Sequence, residues 1–280
     1  MDGRPGPPGD RNRRDALAIR AASAAALAPA TLAAAWAGGP AFAALVAFMT
    51  VLMCFEWSRM VEGRELSPAF YALAIPGAAG VVFASSGAFP AAFACCAAAG
   101  VGGAWMARRR AETAAWVAFA APYVLAPSVA LLWLREHADY GRGLTILLFA
   151  IVWSADTGAY FAGRLVGGPK LSPRISPAKT WAGAAGGFAL GALAGAVGCS
   201  RIYGGEAYGA YAAMGGALGV ASILGDLAES AFKRNFGIKD MSGFIPGHGG
   251  VLDRLDGMIF ATAAMTAVLY AHIVISGFGG

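Results

Sequence analysis

The sequence predicts an all-α, polytopic integral membrane protein with about nine transmembrane helices, and three observations carry that expectation. The 280 residues are 58% hydrophobic and only 13% charged, with a mean hydropathy of +0.59, whereas a soluble domain carries about 25% charged residues. The apolar residues fall into long runs, each near the roughly 20 residues that a helix needs to cross the hydrocarbon core. The 21 Lys and Arg residues alternate between loops: all except Arg135, Arg142 and Arg201 fall on the side that holds the amino terminus, which by the positive-inside rule is the cytoplasm.

Taken in order, residues 1–14 (MDGRPGPPGDRNRR) combine Pro, Gly and charge and are expected to form a disordered cytoplasmic tail. The expected spans are 17–37, 40–57, 69–86, 88–106, 113–134, 144–163, 181–200, 207–229 and 252–276. The first resembles a signal peptide in having basic residues ahead of an Ala-rich run, but the charge alternation works with this span retained. Residues 15–143 hold spans one to five, which are Ala-rich and nearly free of acids. Residues 144–280 hold spans six to nine, and there polar residues become concentrated, so a catalytic region is expected. Cys54, Cys95, Cys96 and Cys199 all lie within spans and match neither a metal ribbon nor a disulfide framework. The basic residues flank spans and form no stripe, so no nucleic-acid partner is expected.

Two loops on the inner side are rich in Pro, Gly and basic residues, and read as shaped segments: 163–180, GRLVGGPKLSPRISPAKT, and 233–250, KRNFGIKDMSGFIPGHGG. Acids at membrane depth are costly and point to function. Asp156 lies in span six, Asp226 and Glu229 near the inner end of span eight, and Asp253 and Asp256 open span nine. Asp226, Asp253 and Asp256 can converge from two helices into an oxygen-rich site of the kind hard divalent cations take, Mg2+ in particular being shared between carboxylates and substrate phosphates. Lys170, Lys179, Lys233, Arg234 and Lys239 supply the positive counterpart. Each element also has a plainer reading. Asp253 and Asp256 suit a helix start, Asp226 and Glu229 can pair with Lys233 along their own helix, and the glycines of 247–250 can make a turn. In span seven, Gly183, Gly186, Gly187, Gly191 and Gly195 signal close helix packing.

Residues 230–256, SAFKRNFGIKDMSGFIPGHGGVLDRLD, resemble the signature of the CDP-diacylglycerol synthase (phosphatidate cytidylyltransferase) family through Ser230, Lys233, Arg234, Lys239, Asp240, Pro246, His248, Gly249, Gly250, Asp253, Arg254 and Asp256. Residues 154–183 and 225–230 are similar to further regions of the same family. Ala182 departs from it, since many members carry an acid there. The resemblance implies an integral enzyme of the bacterial inner membrane that joins CTP to phosphatidic acid and releases pyrophosphate. Its site would open to the cytoplasm, which agrees with the amino terminus inside and the carboxyl terminus outside that the charge alternation gives. It further implies Mg2+ on Asp226, Asp253 and Asp256, a second, monovalent cation such as K+, and a homodimer. Lys233, Arg234 and His248 would join these acids in catalysis. Asp156, Lys170, Ser176, Lys179, Thr180, Ser230, Lys239, Asp240, Gly249, Gly250 and Arg254 would bind substrate. Rival readings are a CTP-dependent kinase of a membrane alcohol, in which the gamma phosphate moves; a CDP-alcohol phosphatidyltransferase, whose Asp-Gly-x-x-Ala-Arg motif is not met after Asp256; and a transporter, which needs polar groups through the bilayer and not at one face.

Overall fold

Within hydrocarbon, each backbone N–H and C=O must find its partner inside the chain, and for runs this apolar the helix is the form that provides it. A computed structural model describes the backbone of residues 10–136, 140–245 and 249–277. Nine helices correspond one to one with the nine expected spans: α1 (Asp10–Ala37), α2 (Gly39–Glu62), α3 (Pro68–Ser85), α4 (Phe89–Met106), α5 (Ala111–Glu136), α6 (Gly141–Leu165), α7 (Trp181–Tyr203), α8 (Tyr208–Asn235) and α9 (Leu252–Gly277). Eight of them, α2 to α9, are long and apolar enough to cross a membrane, and α1 adds the shorter apolar stretch Ala25–Ala37 among the described residues.

The helix α1 begins at Asp10, inside the segment 1–14 expected to lack structure. From Asp10 to Ala28 no proline or glycine interrupts the run, and its many Arg and Ala residues are good helix formers. Within α5 the backbone widens to a π-turn over Ala121–Leu125, where Pro122 leaves one amide donor missing.

Two features position the site. A small hairpin, β1 (Lys170–Ser172) against β2 (Ser176–Thr180), pairs Lys170 with Thr180 and Ser172 with Ser176 between α6 and α7; the shaped loop expected there is therefore a two-stranded one. It ends in a helix cap, since the Thr180 hydroxyl oxygen accepts from the Gly183 N–H at 3.0 Å. The second feature is close helix approach. A Cβ on Gly225 of α8 would lie 2.3 Å from the Asp256 carbonyl oxygen of α9, and one on Gly158 of α6 would lie 2.3 Å from the Gly186 carbonyl oxygen of α7. The glycine rhythm of span seven serves the same end, with Gly191 and Gly195 packed against Gly215 of α8.

The first half meets α8 through aromatic rings. Phe232 stands edge-on to Trp57 of α2 and to Tyr123 and Trp116 of α5, with centroids 5.5, 5.2 and 5.6 Å apart. This interlock fixes the stretch of α8 that carries Lys233.

Candidate metal and nucleotide site

A cavity of about 710 Å³ opens between α6, the hairpin, α7, the last third of α8 and the start of α9, within the roughly 300–1,000 Å³ typical of small-molecule sites. Six carboxylates line it against four basic side chains, Arg164, Lys179, Lys233 and Arg254. That surplus of negative charge suits a cation more than a bare polyphosphate.

On α8, Asp226 and Glu229 are three residues apart and so share a face; Asp256 approaches from α9 across Gly225. Each of the three presents one carboxylate oxygen, and these oxygens lie within 4.8 Å of one another. Glu229 is 1% exposed. Its Oε2 accepts from the Lys233 ammonium at 2.7 Å, while Oε1 is buried with no hydrogen-bond partner among the described residues. An orphaned carboxylate oxygen beside two further carboxylates is costly unless a cation completes it. The residues therefore fit a hard divalent metal.

The sequence grouped Asp226, Asp253 and Asp256, whereas the structure brings Glu229 into the cluster in place of Asp253. Asp253 has other partners. Its Oδ1 accepts from the Lys233 ammonium at 2.6 Å, and its Oδ2 accepts from the backbone N–H of Gly250 at 2.8 Å and of Met241 at 3.0 Å. Both of these amides lie in the loop ahead of α9, so Asp253 ties that loop and, through Lys233, the end of α8 to the first turn of α9. The Glu229–Lys233 pair along α8 is present too.

Other expected residues divide between the cavity and its surroundings. Asp156, Ser176, Lys179, Thr180, Asp240 and Arg254 line the cavity. Lys179, on β2, is ion-paired with Asp226 Oδ2, and Asp156 Oδ1 accepts from the Ser222 hydroxyl at 3.5 Å. Ser230 lies just behind, its hydroxyl donating to Asp226 Oδ1 at 3.5 Å. Lys170, Arg234 and Lys239 are exposed and outside the lining; Arg234 donates from Nε to the Ile175 carbonyl at 3.4 Å, tying α8 to the hairpin. Gly249 and Gly250, expected to bind substrate, do not line the cavity. Gly249 has φ of +87°, open to glycine at little cost, and a Cβ on Gly250 would lie 2.6 Å from Glu56 Oε1. His248 falls outside the described residues.

Sequence reasoning passed over Arg164 and Tyr160, which line the cavity and share a 2.7 Å hydrogen bond from the guanidinium to the phenol oxygen. It also gave Glu229 no ligand role, although the three-residue spacing from Asp226 was visible.

A model of the cytidylyltransferase family matches residues 18–272. The chain belongs to that family. Among curated relatives, it is 44% identical over 150 residues to a phosphatidate cytidylyltransferase of Brucella suis, covering 54% of this chain and 55% of the relative. To the enzyme of the same name from Pseudomonas aeruginosa it is 47% identical over 149 residues, covering 53% and 55%, and to that from Haemophilus influenzae 40% over 144 residues, covering 50% and 49%. The chain thus spans about half the length of the curated relatives it matches.

Proposed function

We propose that this membrane protein is a phosphatidate cytidylyltransferase, converting CTP and phosphatidic acid to CDP-diacylglycerol and pyrophosphate. The observation that carries the reading is the meeting of Asp226, Glu229 and Asp256 in a cavity rimmed by basic side chains, in a chain of the cytidylyltransferase family. The names of its relatives supply the substrate class.

Asp226, Glu229 and Asp256 would hold Mg2+, which when bound neutralises phosphate charge and orients phosphate oxygens. Lys179 exchanges its bond to Asp226 for the incoming triphosphate, while Arg164 and Arg254 stand at the cavity wall to receive phosphate oxygens. The lipid phosphate, held at the membrane boundary by its acyl chains, attacks the alpha phosphorus of CTP. A P–O bond to that phosphorus forms, and the bond to the beta phosphate breaks with pyrophosphate taking the electron pair. Catalysis is then positioning and charge neutralisation, with no protein nucleophile required. Lys170, Arg234 and Lys239, exposed around the site, steady the triphosphate tail and the lipid headgroup. Charge alternation supports a cytoplasmic opening in the inner membrane; the monovalent second cation and the homodimer rest on the family resemblance alone.

The test is product identity. Purified protein given phosphatidic acid, Mg2+ and CTP should yield a cytidine-bearing lipid and one equivalent of pyrophosphate, seen by mass spectrometry and a coupled pyrophosphate assay. Free CDP with a phosphorylated lipid alcohol would instead make it a kinase and overturn the reading.

A further inference from the structure

Among the described residues, none from the first five spans lines the cavity, yet one of these spans reaches the loop that builds it. Glu56, on α2, is 0% exposed. Its Oε1 accepts from the Val251 N–H at 2.8 Å and from the Ser242 hydroxyl, and its Oε2 accepts from the Leu252 N–H at 2.7 Å. Val251 and Leu252 form the start of α9, where amide donors have no partner within the helix. A carboxylate from another span therefore caps this helix, through charge-assisted bonds placed at the positive end of its dipole.

The surroundings are shaped to admit it. Gly250 has no side chain where a Cβ would stand 2.6 Å from Glu56 Oε1. Next to Glu56 on α2, the Trp57 indole N–H donates to the Trp116 carbonyl of α5 at 2.8 Å, fixing the helix that delivers the carboxylate. From the other side, Asp253 gathers the N–H groups of Met241 and Gly250. Glu56 and Asp253 together hold both ends of the loop 241–252, and Asp256 follows four residues after Leu252, one turn into α9.

A buried carboxylate with three converging donors is an expensive way to stabilise a helix end within a membrane. Its distinctive effect is to set the rotation and height of the first turn of α9. We propose that Glu56 is a positioning residue of the metal site: it locks the start of α9 so that Asp256 meets Asp226 and Glu229, which assigns a role in cation binding to the N-terminal half. This rests on the metal reading given above, and it concerns Glu56 acting through α9 without touching the cation.

Glu56→Gln keeps the volume but turns an amide N–H2 toward amide donors. Mn2+ binding to the purified protein, followed by electron paramagnetic resonance without substrate, reads the effect apart from turnover. Loss of a residue that orients a ligand typically weakens metal affinity about 10–100-fold, so the Mn2+ dissociation constant of Glu56→Gln should rise by that factor, and the Mg2+ concentration for half-maximal activity should rise with it. A variant that merely lost stability would show fewer sites at unchanged affinity, and that result would overturn the proposal. Should Glu56→Gln fail to fold, Ser242→Ala removes one donor to Oε1 from a loop position and should give a smaller shift of the same sign; unchanged affinity there would also overturn it. Absence of Mn2+ binding by the wild-type protein would remove the metal reading itself and the anchor with it, whereas wild-type binding matched by Glu56→Gln would remove the anchor alone.

Discussion

Lys233 stands between two carboxylates, 2.7 Å from Glu229 and 2.6 Å from Asp253, and all three side chains are 15% exposed or less. Breaking a buried charge network by removing one partner usually costs about 3–5 kcal/mol, because the remaining charges stay uncompensated. Lys233→Met should therefore lower the thermal unfolding temperature of the purified protein clearly, and adding Asp253→Asn should recover part of the loss. Additive destabilisation in the double variant would contradict this pairing. At this scale the sequence was informative about which residues matter and less so about partners. The signature spacing pointed to Lys233, Asp253 and Asp256, but the loop amides of Met241 and Gly250 take one oxygen of Asp253. Local hydrogen bonding decided its orientation, and no spacing rule reports that.

Between helices, the site depends on how closely α8 and α9 approach. Gly225 permits backbone contact at Asp256, where a methyl would stand 2.3 Å from the carbonyl oxygen. Gly225→Ala should push the two helices apart, at a packing cost of about 1–3 kcal/mol, and shift Asp226 against Asp256. Since a displacement of about 1 Å at a reacting centre can cost around 100-fold, the proposed cytidylyl transfer should fall by roughly that factor. Gly209→Ala, on the same helix with open space around it, should leave transfer unchanged. Equal activity of the two variants would show that the approach at Gly225 does not matter. The nine apolar runs and the glycine rhythm of α7 were legible because hydrophobicity and small-residue spacing are local properties of the chain. The hairpin was expected only as a shaped loop, since three- and five-residue strands carry too few side chains for an alternating pattern.

Across the whole molecule, the acids and bases that line the cavity gather where the hairpin meets α6, α7, α8 and α9, in a bundle that has, among the described residues, eight helices long and apolar enough to cross a membrane. The first five spans looked chemically plain in sequence, and Glu56 passed unnoticed because its partners, Ser242, Val251 and Leu252, lie about 190 residues away. A contact between distant segments leaves no mark in local composition. The aromatic interlock of Trp57, Trp116, Tyr123 and Phe232 joins the halves beside that same glutamate. The central claim is that carboxylates from α8 and α9 enclose one divalent cation. Anomalous diffraction from crystals of the protein grown with Mn2+ tests it most directly: the account predicts a peak ligated by Asp226, Glu229 and Asp256, and a peak bound elsewhere, with these three carboxylates holding no metal, would contradict it.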